Sequence, residues 1–149
     1  MSDGSQSTDD WHDYGLPTEL FAEAGHGSLT AQRQLRDMAL MMAKAGTAPF
    51  DQAMSAAEVL ARMVSANGDP SDARVLAEIL FSRADTLSPS EDHKNLAAAE
   101  AIALLEEAAD AGDGGALDRL VEIKEVAPRS VFTLASHLRG SCTADQGDC

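Results

Sequence analysis

Glycine and alanine recur in this chain at an interval too long for one helix, and that interval restricts the fold more than any other feature. Ala22-Glu23-Ala24-Gly25-His26, Val64-Ser65-Ala66-Asn67-Gly68-Asp69 and Ala108-Ala109-Asp110-Ala111-Gly112-Asp113 each close an apolar run on glycine and a short polar link. Glycine takes the left-handed conformation at no steric cost, so each marks a helix end. The next run then opens near an alanine: Ala31, Ala73 or Ala116. The glycines are 43 and 44 residues apart and the alanines 42 and 43. A fixed period of this size implies units of two antiparallel helices, each burying its apolar face on the next.

Apolar spacing inside the units agrees. Phe50, Ala53, Met54, Ala57, Leu60, Ala61 and Val64 follow one another in steps of three or one, which places them on one stripe of a helix. Ala73 to Ala84, Ala98 to Ala109 and Val131 to Leu138 repeat the pattern, and no segment alternates as a strand does. Asp69-Pro70 offers an acidic cap with proline at the first helical position. Ser88-Pro89-Ser90-Glu91 reads as a capping box with the same proline, and Pro128 as the opening of a last short helix. Helices are therefore expected near 18–24, 30–45, 50–66, 70–84, 89–111, 115–125 and 129–138. The expected organisation is an acidic disordered tail over 1–15, a helical repeat domain over 16–139 and a flexible cysteine-containing tail over 140–149.

Over residues 20–125 the chain resembles the Sel1-like repeats, relatives of the tetratricopeptide family. Phe81 stands near the position of the family's loop tyrosine, and Asp51-Gln52-Ala53 and Asp92-His93-Lys94 echo the segment before its second helix, although its glycine-rich loop is missing. The resemblance implies an all-α fold, antiparallel helical hairpins stacked as a short solenoid, and peptide or protein binding on the surface of the first helices.

Charge narrows the partners. The chain of 149 residues carries 25 acidic and 11 basic side chains, a net −14. Such a field repels phosphate backbones and anionic lipid, which argues against nucleic acid and membrane surfaces. Residues 1–24 hold six acids and no Lys or Arg, and residues 85–125 hold eleven acids against Lys94, Arg119 and Lys124. No run reaches the roughly 18 apolar residues of a membrane span, and Met1–Asp10 lacks a signal peptide's basic start, so a cytoplasmic protein is expected.

Chemistry is sparse. His12, His26, His93 and His137 fall in different elements and form no paired-ligand motif, so no metal or cofactor is expected. Glu106-Glu107 are neighbours on a helix, pointing about 100° apart, and cannot share a substrate. Cys142 and Cys149 lie in a polar terminus and are read as free thiols. The expectation is a non-enzymatic interaction module, an adaptor or regulator. The alternative is an acidic inhibitor or immunity-type protein that occupies a basic site through its 85–125 surface. A homodimer is compatible with the Ala- and Met-rich packing surfaces.

Two features nominate a binding surface. Leu40, Val75 and Ile79 project opposite the main stripes, near Arg33, Arg36 and Arg74, and suit either a doubly buried helix or an arginine-edged apolar groove. Trp11 and Tyr14 sit in an acidic run, where they suit a partner motif, a cap over the end of the stack or an idle tail.

Overall fold

A computed structural model describes residues 18–87 and 90–140. They form seven helices and, among the described residues, no strand: α1 (Thr18–Gly25), α2 (Leu29–Ala45), α3 (Phe50–Ser65), α4 (Pro70–Leu87), α5 (Glu91–Asp110), α6 (Gly114–Lys124) and α7 (Arg129–Leu138). Each expected helix is present. None is long and apolar enough to cross a membrane.

Helix ends show why. Gly27, Gly68 and Gly112 take positive φ of 95, 94 and 101°. Each is followed at once by a residue whose side chain caps the next helix. Ser28 Oγ accepts from the Ala31 amide at 3.1 Å, Asp69 Oδ1 from the Ser71 amide at 2.9 Å, and Asp113 Oδ1 from the Ala116 amide at 3.2 Å. Seven residues beyond each cap stands a buried leucine: Leu35, Leu76 and Leu120. The glycine–cap–leucine unit thus recurs with its backbone conformation and its burial intact.

Two end assignments differ from the sequence reading. The first left-handed glycine is Gly27 rather than Gly25, which is the last residue of α1; the cap Ser28 requires the reversal directly before it. Ser90 caps α5, its Oγ accepting from the His93 amide at 3.2 Å, so the helix starts two residues after Pro89 and places Glu91 and Asp92 in its first turn. Acidic groups there complement the helix dipole. Pro128 occupies the N-cap of α7, with φ −64° and ψ 148°, and opens the helix at Arg129 as expected.

The chain divides into two compact units, one ending at Val64 and one beginning at Ser65. In the first, α1 packs on α2. Ala24, Ala31 and Leu35 form a core joined by Leu20, Phe21 and Leu60. The buried Gln32 sends Nε2 back to the Ala24 carbonyl at 2.9 Å, satisfying a polar group at the end of α1. Alanine dominates the buried face of α3, where Ala53, Ala57 and Ala61 are fully buried beside Met54 and Val64.

In the second unit α5 is the central element, packed against α4, α6 and α7. Its burial is correspondingly broad: Ala99, Ala101, Ile102, Ala103, Leu105 and Ala108 are all enclosed. A helix touched on several sides must be apolar over most of its circumference, and alanine permits the close approach. α4 and α6 are joined by polar contacts. Arg74 Nε meets Asp113 Oδ2 at 3.2 Å, and Arg119 Nε donates to Glu78 Oε2 at 2.7 Å while its guanidinium lies 5.4 Å from the Phe81 ring centroid. At Gly115 a Cβ would stand 3.1 Å from Arg74 Nε and 3.2 Å from Asp113 Oδ1, so this approach favours glycine.

Candidate functional site

The surface nominated from sequence divides between the two units. In α2, Arg33 and Leu40 are half-buried and Arg36 is buried, its Nε donating to Asp37 Oδ1 at 2.9 Å. In α4, Arg74 and Val75 are half-buried, whereas Ile79 is 2% exposed and belongs to the core. Burial removes Ile79 and Arg36 from any docking surface, and Arg74 is engaged by Asp113. Ile79 is thus enclosed and lines no groove. Arg33, Leu40 and Val75 keep partial exposure. Trp11, Tyr14, Cys142 and Cys149 lie outside the described residues.

A different surface has the shape of a site. Along α5, Leu96, Glu100, Ala103, Leu104 and Glu107 follow one another at steps of four, three, one and three, hence on one stripe. Together with Leu138 of α7 they line an open trough of about 400 Å³. Ala103 closes the floor, and Leu104 is half-buried. Leu96 and Leu138 are 50% and 47% exposed, which leaves apolar surface at both walls facing water. Glu107 is exposed on the rim, and Glu100 is half-buried.

The trough depends on where α7 ends. Arg139 caps that helix and reaches across to α5, its Nη2 donating to Asp110 Oδ2 at 2.7 Å and its Nη1 lying 3.6 Å from Glu106 Oε1. The Asp110 hydrogen bond raises the Arg139 pKa above its ordinary value despite partial desolvation, and the charges of Asp110, Glu106 and Glu107 add to it. This clamp fixes Leu138, its chain neighbour, as one wall of the trough. Glu106-Glu107, adjacent in sequence, thus take different parts: one holds the clamp and the other edges the opening.

The remaining displaced titrations are structural as well. Burial pushes the Asp113 carboxyl up, but the Arg74 hydrogen bond, the Ala116 amide, the Arg74 charge and the Gly115 amide together bring it below the ordinary carboxylate value. Arg119 is raised, first by its hydrogen bond to Glu78 and further by Glu122. Both shifts come from contacts that tie helices together or cap them. Among the described residues no group of three or more His, Cys, Asp or Glu is placed to hold a metal ion.

Sequence reasoning missed this trough, although a signal for it was present. Leu96 and Leu104 lie off the stripe formed by Ala98, Ala101, Ile102, Leu105, Ala108 and Ala109, eight residues apart on a face that buried packing does not require. Comparison with protein-family models, with curated proteins and with solved structures finds no match for this chain.

Proposed function

We propose that this chain is a non-enzymatic protein-interaction module of stacked, Sel1- or tetratricopeptide-like helical hairpins, and that it binds an apolar segment of a partner in the α5/α7 trough. The hairpin reading is supported by the glycine–cap–leucine unit that recurs at Gly27, Gly68 and Gly112 and by the packing of α5 on three neighbours. The two ion pairs from α4 to α6 join the first helices of consecutive units. A single observation carries the docking reading: apolar walls at Leu96 and Leu138 stay half open to water above an apolar floor. Concave apolar surface rimmed by polar groups is a common form of recognition site.

A photoreactive side chain introduced at Leu96 of the full chain tests this in the native cell. The expected result is one discrete adduct at Leu96 and none at the exposed Gln34 of α2. Equal labelling at both positions, or none at Leu96, overturns the docking reading.

The excess of eleven acids over three basic residues across 85–125 favours a second reading, an acidic inhibitor that covers a basic site. Salt separates the two. Binding governed by exposed charge weakens steeply between low and physiological ionic strength, whereas binding governed by apolar contact changes little.

A further inference from the structure

We propose that the occupant of the α5/α7 trough is a basic amphipathic helix, with apolar anchors one helical turn apart and Lys or Arg at positions seven apart; this rests on the trough being the docking surface. Leu96 and Leu104 are eight residues apart on α5, about 12 Å along its axis. An open trough of that length exposes a row of anchor positions, where a small ligand would leave much of its own surface in water. A helix laid along the row presents side chains at i, i+3, i+4 and i+7, which match it.

The rim decides the sign of the charge. Glu100 and Glu107 are seven residues apart on the same helix, about 10.5 Å, the distance that separates positions i and i+7 on the occupant. Glu107 is exposed and acts on an incoming cation directly. Glu100 has a contact within the fold and contributes less. The surrounding segment, 85–125, balances at −8 from eleven acids and three basic residues. An acidic occupant is repelled there, which disfavours this chain's own 1–24 segment, with six acids and no Lys or Arg. A second copy of a chain with net charge −14 is disfavoured for the same reason.

A displayed library of random peptides selected against the full chain, with Leu96→Asp as the comparison, tests the proposal. Leu96 is half exposed, so the substitution leaves the core untouched, which circular dichroism verifies. Expected are peptides lost on Leu96→Asp that carry Lys or Arg seven positions apart around apolar anchors. Their affinity should fall about fivefold on Glu107→Gln, less on Glu100→Gln, and the difference should shrink at high salt. Peptides sensitive to Leu96→Asp but neutral or acidic, or indifferent to Glu107→Gln, overturn the basic helix and leave the docking surface standing. No peptide sensitive to Leu96→Asp overturns both. Trp11 is the sole tryptophan, so a red shift of its emission on Leu96→Asp would identify the chain's own N-terminal segment as occupant and overturn the proposal.

Discussion

Removing the Asp113 side chain tests how the second unit is joined, because this carboxylate performs two separable tasks. One oxygen caps α6 through the Ala116 amide at 3.2 Å, and the other meets Arg74 of α4 at 3.2 Å. Loss of an N-cap costs about 1 kcal/mol. The ion pair joins a side chain 10% exposed to one 39% exposed, so solvent screening holds its share to roughly 0.5–1 kcal/mol. Asp113→Ala should therefore destabilise by about 2 kcal/mol, equivalent to a fall of about 1 M in the urea midpoint for an ordinary slope. Asp113→Asn keeps a capping oxygen and loses only the charge, so it should cost less than half as much. In an Arg74→Met background the Asn variant should then cost almost nothing further. Ellipticity at the helical minimum is the appropriate probe, since Trp11 lies outside the described residues. An Asp113→Ala loss below about 0.5 kcal/mol, or an Asn variant as damaging as the Ala variant, would refute the division into cap and pair.

The same carboxylate sets a pH dependence. Its folded pKa lies below the ordinary 3.8, so its contribution is complete above that value and is lost as pH falls through the lower folded value; the stability gap between the native chain and Asp113→Asn should close in strong acid, and a gap that widens there contradicts the pairing. Arg139→Gln should release the end of α7 from Asp110 and Glu106, seen as faster amide exchange at Ala135 to Gly140 with little change in α4. Gln32→Ala deprives the Ala24 carbonyl of a buried donor and should cost about 1–2 kcal/mol by urea unfolding, with the larger value if no water replaces the amide. Leu120→Ala should cost about 2–4 kcal/mol, whereas Leu117→Ala, three residues earlier on the same helix but 57% exposed, should stay within about 0.5 kcal/mol.

Element positions were legible because they depend on local chemistry that sequence displays directly. Apolar spacing, with glycine, proline and capping signals, located all seven helices, and Asp69-Pro70 marked the start of α4 correctly. The errors arose where two local solutions competed. Ser88 read as the cap of a box with Glu91, but Ser90 caps the helix and leaves Glu91 and Asp92 in the first turn. Gly25 read as the helix end, but Gly27, which adjoins the cap Ser28, takes the left-handed conformation. Exposure was less legible than position. Ile79 and Leu40 both project away from the main apolar stripes, yet one is sealed in the core and the other half-buried, a distinction made by neighbouring helices rather than by their own. The trough needs Leu138 beside Leu104, residues brought together only by the packing of α7 on α5.

The three capped helices differ in burial at one position of their shared register. Eight residues beyond the cap, Arg36 of α2 and Ala77 of α4 are buried, while Val121 of α6 is 56% exposed. The registers match and the caps match, so the difference lies in what covers the helix and not in the helix itself. Around this uncovered face α6 and its cap carry Asp118, Glu122 and Glu125, all exposed. A helix with no covering neighbour must hold its apolar positions in water, and acidic side chains around them oppose association with further copies. The negative charge of 85–125 thus lies beside exposed apolar positions on two helices: around Leu117 and Val121 on α6, and along the half-exposed walls of the trough on α5. The two surfaces differ in concavity, since Leu117 and Val121 stand on a single helix whereas Leu96 and Leu138 line one trough from two helices. Of these two surfaces only the trough is walled by more than one helix, and enclosure is what converts exposed apolar area into specific binding.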